Sequence, residues 1–341
     1  NPRLLLDWLL RGFFKGWSKS NRGFQQQLDD RRLHWLLCHR IISDPSWSKA
    51  RVGLGLQCEA DGIIERSDKL SEEKRMSESM DIIEIQVKRC LNHLFKLSNP
   101  GGQSSSEHAP LTYSSELRPS LVPNAGMGVF IKGSCPPGSV VLFHPGVVYS
   151  ERNLRYMPDF PKIADPDFML CVRRDRALID PTIPPPADDA LPPPLPGDAL
   201  GWTAKNPYAL GHMVNHGEGD GSGVPDVTHP RAPNVTGADY AFQDSLPADL
   251  RRFVPNDVFQ PQDRSKGLLN KVEGFMEKRM EKEGSITKDT EGVPTRVLIT
   301  TRGVGDGEEL LMDYRLDPAR KRQWPAWYRS FDEESALRRW S

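Results

Sequence analysis

Hydrophobic side chains in the first hundred residues recur at steps of three and four, the spacing that places them on one face of a helix. The clearest positions are Leu4, Leu5, Trp8, Leu9, Leu33, Leu36 and Leu37, and the stretch 77–97 repeats the pattern. We therefore predict a helical N-terminal region over residues 1–98. The stretch 99–106 reads NPGGQSSS, a composition typical of a flexible connector, which predicts a linker over residues 99–112.

From Tyr113 onward the hydrophobic positions form short β-branched runs separated by glycine and proline, which is typical of strands. The predicted strands cover residues 128–131, 139–143, 146–149 and 297–300. The stretch 181–196 contains eight prolines and predicts a loop. A helical repeat over residues 268–280 predicts an amphipathic helix inserted before the last strand. The chain as a whole is predicted to be α+β.

The stretch 303–314 reads GVGDGEELLMDY and follows the strand predicted at residues 297–300. Its three glycines, Gly303, Gly305 and Gly307, permit a tight turn at low steric cost. Taken alone, this pattern predicts a hairpin and indicates nothing about function.

The overall charge restricts the classes of partner. The 45 Lys and Arg residues are balanced by 46 Asp and Glu, so no global field attracts nucleic acid. The five cysteines are scattered without a CxxC pair, which favours an intracellular, reducing location, nuclear or cytoplasmic. No apolar run is long enough to cross a bilayer and no secretory signal is visible. Because the chain begins with Asn1, organellar targeting stays open.

Residues 1–40 carry eight Lys or Arg against three Asp, interleaved with aromatic side chains. This composition suits a membrane surface, a targeting peptide or an acidic partner. The alternative is a helix that packs its aromatic side chains on the rest of the protein.

Four stretches carry residues with chemical potential. The first, NAGMGVF at 124–130, contains Gly126 and Gly128, which we expect to leave room for a ligand at the backbone. Another, NPYALGHMVNHG at 206–217, ends in Asn215 and His216, which donate and accept hydrogen bonds. The remaining two are FHPGVVY at 143–149 and the stretch at 303–314.

In this order and at this spacing the four stretches resemble the SET domain, the lysine-methyltransferase fold, over residues 113–316. The segment 126–130 resembles the cofactor loop, Asn215-His216 the start and Asn234 the end of the Asn-His motif, and Gly-Glu-Glu-Leu at 307–310 with Tyr314 the closing motif. The similarity is closest to the SET-domain-containing protein nine group. Relative to that family the chain carries inserts at 181–200, 217–233 and 264–294 and a tail at 317–341.

The resemblance implies a mostly-β SET fold with a pseudoknot-like C-terminal strand, preceded by the helical region. It implies S-adenosylmethionine as cofactor, a lysine side chain of a protein as substrate, and no metal. Tyr314 is then the catalytic tyrosine that lines the methyl channel. The residues implied to hold the cofactor are Gly126, Met127, Gly128, Asn215 and His216.

The chain departs from the family at several positions, which leaves a second interpretation open. His144-Pro145-Gly146-Val147 replaces Tyr-x-Gly-Glu, and Gly217-Glu218 replaces the Ser-Cys after Asn-His. The alternative is a catalytically inactive SET-fold binding or scaffold module. The tail has no cysteine for the zinc cluster that completes the lysine channel in many SET enzymes. Four tail aromatics could close that channel or, on a short helix, pack against the body: Trp324, Trp327, Tyr328 and Phe331.

Overall fold

The computed structural model describes residues 69–99, 111–158, 160, 170–173, 175–185, 192–218, 229–260, 292–316, 318–324, 326–334 and 337. These residues form a mixed α+β structure of small sheets with one long helix. Residues 1–68 of the predicted helical region, which include the basic segment at 1–40, and the predicted inserted helix at 268–280 lie outside them. The predicted linker at 99–112 is described only at its two ends.

Helix α1 (Glu72–Ser98) confirms the helix predicted from the hydrophobic repeat. It begins after Ser71, whose hydroxyl accepts a hydrogen bond from the backbone N–H of Lys74. It ends at Asn99, whose side chain donates to the carbonyl of Phe95. Its buried face packs on the five-stranded sheet described below. The helix residues in this contact are Ile83, Val87, Cys90, Leu91 and Leu94. The helix and the sheet therefore share one hydrophobic core.

The remaining elements are short and mostly extended. The strands are β1 (Tyr113–Pro119), β2 (Met127–Gly133), β3 (Val140–His144), β4 (Gly146–Tyr149), β5 (Cys171–Val172), β6 (Leu178–Asp180), β7 (Asn215–His216), β8 (Val235–Phe242), β9 (Asn256–Val258), β10 (Val293–Thr300) and β11 (Leu311–Met312). Two short helices are α2 (Trp202–Lys205) and α3 (Ala248–Arg251), and three 3-10 turns cover Glu151–Tyr156, Gly211–Met213 and Pro318–Gln323. All four strands predicted from sequence are confirmed, with the second beginning one residue later.

A five-stranded sheet has the order β3-β10-β8-β11-β7. Strand β10 is antiparallel to both β3 and β8, whereas β11 is parallel to β7 and β8. The hairpin expected for residues 303–314 is wrong, because β11 does not pair with β10. The Gly307 backbone does turn, with φ of +75°, but it directs the chain across the sheet instead of back along the previous strand.

Two further sheets complete the described structure. Strands β1 and β2 form an antiparallel pair, and β5, β6, β4 and β9 form a four-stranded sheet. The β1-β2 pair adjoins the last part of the chain, because the backbone of Ile131 exchanges hydrogen bonds with Gly307 and Glu308. In the described parts of 181–196 no helix or strand is present, as the prolines predict. No helix among the described residues is long and apolar enough to span a membrane.

Candidate functional site

Asn215 joins three segments that are distant in sequence. Its position is set by the parallel pairing of β7 with β11, which places Asn215 opposite Leu311. The side-chain Nδ2 donates to the carbonyl of Met127 over 3.0 Å and to Oε1 of Glu309 over 3.2 Å. Because both partners are acceptors, the amide group must present its nitrogen to them, and the positions of Nδ2 and Oδ1 cannot be exchanged. Its Oδ1 accepts no hydrogen bond from the described part of the chain, so it is left as an acceptor for a ligand.

Glu309 lies at the centre of this arrangement and is only 3% exposed. Its carboxylate accepts hydrogen bonds from the Ser120 hydroxyl over 2.7 Å and from the Leu121 backbone N–H over 2.8 Å, in addition to Asn215. One buried carboxylate thus fixes both the loop before β2 and the Asn215 amide. Neither Glu309 nor Ser120 is among the site residues predicted from the sequence.

The two glycines of the predicted cofactor loop have different surroundings. A Cβ added to Gly126 would meet no atom within 4 Å, and the backbone there has φ of +73°. A Cβ added to Gly128 would lie 2.1 Å from Oε1 of Glu309. The expectation that both glycines leave room for a ligand is therefore corrected for Gly128, where the space that a Cβ would fill is taken by a protein carboxylate.

Replacing Gly128 with alanine is expected to lower the free energy of unfolding by about 1–3 kcal/mol, because the new methyl group displaces a buried, hydrogen-bonded carboxylate. Urea denaturation of Gly128→Ala against the parent measures this difference. Gly303→Ala is the matched control, since a Cβ at Gly303 meets nothing within 4 Å. An unchanged stability for Gly128→Ala would contradict the tight contact.

Asn234 holds the last segment against β8 and is only 1% exposed. Its Nδ2 donates to the carbonyl of Glu309 over 2.7 Å, and its Oδ1 accepts from the N–H of Leu311 over 2.8 Å. Its own N–H donates to the carbonyl of Leu311. The motif resemblance included Asn234, but its contribution is to position the backbone at 309–311. Its position in the motif is the feature of the sequence that indicates its importance.

His216 connects β7 to the tail. Its Nε2 lies 2.6 Å from the carbonyl of Arg329, so that nitrogen carries the proton and donates. The Nδ1 lies 3.2 Å from the backbone N–H of Tyr314, which donates to it, and 3.2 Å from the carbonyl of Met312. The ring also stacks on Tyr328 with centroids 4.3 Å apart. The side chain of His216 is thus engaged by the tail, and only its backbone is left for the predicted contact with a cofactor.

Tyr314 follows β11 and directs its hydroxyl inward. The hydroxyl donates to the carbonyl of Val214 over 2.8 Å. Although 38% of the residue is exposed, burial of the hydroxyl raises the pKa of Tyr314 to about 12. The phenol is therefore protonated at neutral pH. Tyr314 thus combines a partly exposed residue with a buried hydroxyl whose position is fixed by the Val214 carbonyl.

The tail aromatics Tyr328 and Trp327 differ in their burial. Tyr328 is buried and its hydroxyl accepts from the N–H of Leu316, so it packs against the body. Trp327 is 54% exposed and stands edge-on to Tyr314, with centroids 6.1 Å apart. The prediction of a short helix under these aromatics is wrong, because the helical turn is Pro318–Gln323 and all four aromatics come after it.

Two buried histidines lie at the end of β3 and in the 3-10 turn at Gly211–Met213. His144 and His212 stand edge to face, with ring centroids 6.3 Å apart. Burial lowers the pKa of His144 to about 3, assisted by His212 and Arg296. Burial lowers the pKa of His212 to about 4 against the opposing effect of Asp198. Both imidazoles are therefore neutral at neutral pH.

Together these contacts assemble the residues selected from sequence into two adjoining groups. Met127, Gly128 and Asn215 meet around Glu309, whereas His216 and Tyr314 are hydrogen-bonded to each other. Strand β7 joins the groups, because Asn215 and His216 are neighbours in it. Their roles toward a cofactor remain predictions. No group of three or more side chains able to hold a metal ion is present among the described residues. No protein-family model matches the chain, and a comparison with curated proteins finds no significant match.

Proposed function

We propose that the chain has a SET fold and transfers a methyl group from S-adenosylmethionine to a lysine side chain of a protein. The observation that carries this proposal is the convergence on β7. The Asn215 amide reaches the loop at Met127, and the Tyr314 hydroxyl reaches the Val214 carbonyl directly before it. Three motifs whose resemblance was read from sequence thereby contribute to one site.

The residues at this site fit the proposed cofactor. Open space lies beside Gly126, where a ligand can approach the backbone. The Oδ1 of Asn215 is held as an acceptor and suits an ammonium group. When bound, S-adenosylmethionine supplies a methyl group on a cationic sulfonium, whose charge also favours the neutral form of the lysine amine.

Tyr314 and Val214 would line the channel in which the amine and the methyl group meet. The hydroxyl donates to the Val214 carbonyl, so its oxygen retains lone pairs that accept weak C–H hydrogen bonds. Because burial raises the pKa of Tyr314, the phenol stays neutral and is a poor nucleophile. It can therefore orient the reacting groups without competing with the lysine.

The exposed aromatic rings suit the aliphatic and cationic parts of a lysine side chain. Trp327 and Tyr314 stand at right angles with their rings partly open to solvent. An ammonium approaching such rings is attracted to their faces before it is deprotonated. We assign the protein substrate to this side of the site.

Asn215→Ala tests the cofactor assignment directly. We expect calorimetry to detect S-adenosylmethionine and S-adenosylhomocysteine binding to the parent, and the variant to bind both more weakly by about 1–3 kcal/mol, the cost of an unmatched buried hydrogen bond. Asn92→Ala is a suitable control, because Asn92 lies on α1, far along the chain from these motifs. Absence of binding to the parent at millimolar ligand would overturn the proposal.

The alternative is a SET-fold scaffold that does not turn over. It is favoured by the replacement of the family tyrosine with His144, whose ring is buried and whose Nδ1 lies 3.2 Å from the Pro145 carbonyl. Incubation of the full chain with labelled cofactor and a broad peptide library separates the two functions. Cofactor binding without any labelled peptide would support the scaffold.

A further inference from the structure

The charge of Glu309 has no cationic counterpart in the described structure. Its three hydrogen-bond donors, from Ser120, Leu121 and Asn215, are all neutral. No Lys, Arg or His of the described residues forms an ion pair with it. All three contacts use the carboxylate as an acceptor, which is how an ionised carboxylate forms hydrogen bonds. A buried ionised carboxylate without a cation is costly, and the cost is reduced when a cation binds nearby.

Two arginines that adjoin the segments contacted by Glu309 are engaged elsewhere. Arg302 forms an ion pair with Glu308, the neighbour of Glu309. Arg118 forms one with Glu116 and lies over the ring of Phe130. Neither neutralises the Glu309 carboxylate directly. The Glu309 carboxylate therefore has no ion-pair partner among the described residues.

We propose that Glu309 is a specificity-determining residue that makes this site prefer a cationic ligand over a neutral ligand of the same shape. The inference rests on the proposed function, in which the two ligands are S-adenosylmethionine and its product S-adenosylhomocysteine. The cofactor carries one more positive charge than the product, on the sulfonium. Glu309 consequently favours binding of the cofactor and release of the product.

The effect acts through charge as well as through position. Glu309 orients the Asn215 amide, which contacts either ligand equally, so loss of that hydrogen bond weakens both. Only the carboxylate charge distinguishes them, because its attraction to a sulfonium has no equivalent for a thioether. The ratio of the two affinities therefore isolates the electrostatic contribution from the structural one.

Calorimetry on the full chain measures both dissociation constants for the parent and for Glu309→Gln. We expect the variant to lose about tenfold more affinity for S-adenosylmethionine than for S-adenosylhomocysteine, the scale of one charge pair at a moderately screened distance. Two controls accompany it. Ser120→Ala removes a neutral donor from the same carboxylate, and Glu309→Asp keeps the charge while changing the hydrogen bonds.

Both control variants are expected to bind the two ligands more weakly by the same factor, so that the ratio of the two affinities stays that of the parent. If Glu309→Gln lost the same factor of affinity for both ligands, the inference would be overturned and the proposed function would stand. A shifted ratio in Ser120→Ala would also overturn it, because loop order instead of charge would then set the preference. If the parent binds neither ligand, the proposed function and this inference are both overturned.

Discussion

Tyr314→Phe is expected to lower the rate of methyl transfer by ~10² or more while leaving cofactor affinity nearly unchanged. The substitution removes the hydroxyl that donates to the Val214 carbonyl, and with it a preorganised polar group of the proposed channel. The aromatic ring and its contact with Trp327 are retained. Single-turnover measurement with saturating cofactor reports the chemical step separately from binding.

Tyr156→Phe provides the matched control for this substitution. Tyr156 is an exposed tyrosine that stacks on Phe259 and whose hydroxyl accepts from Arg155. Losing that hydroxyl is expected to leave the rate unchanged. A Tyr314 variant that methylates as fast as the parent would remove Tyr314 from the catalytic role.

Asn234→Ala is expected to reduce the free energy of unfolding by about 2–4 kcal/mol. Its side chain is fully buried and bonds both the carbonyl of Glu309 and the N–H of Leu311. Truncation leaves these two backbone groups buried without partners, which costs about 1–3 kcal/mol for each group. Chemical denaturation monitored by tryptophan fluorescence gives the difference.

The variant Asn92→Ala serves as the reference for Asn234→Ala. Asn92 lies on α1 and is only partly buried, and alanine is the better helix former. Its stability is expected to stay within about 0.5 kcal/mol of the parent. If Asn234→Ala were as stable as this control, the segment at 309–311 would be held by other contacts.

The strands and the helix α1 could be predicted because their signals are local. The run at residues 128–131 and the repeat at 77–97 follow the periods of a strand and a helix, and both are confirmed. The pairing of β11 could not be predicted from its own hydrophobic pattern, since a strand of two residues carries almost none. It is determined by partners far away in the chain, such as Asn234.

The central position of Glu309 could not be predicted from residue type either. Its neighbour Glu308 has the same side chain but points to Arg302 and the Gly305 N–H. Burial alone would raise the pKa of Glu308, yet these hydrogen bonds hold it below its ordinary value. Successive residues of an extended chain face opposite sides, so one glutamate is buried in the site and the other is not. Which of the two is buried depends on the register with β2.

The parallel placement of β11 between β7 and β8 determines which contacts can form while the chain is being synthesised. Ser120 and its partner Glu309 are separated by 189 residues, so the loop before β2 leaves the ribosome long before the carboxylate that orders it. Until Leu310 follows, the apolar faces of Val129 and Val235 lack a neighbour with which they share a core. We therefore expect these apolar faces to be open to aggregation until residues 309–311 are made, and chaperones that shield apolar surface to act during this interval.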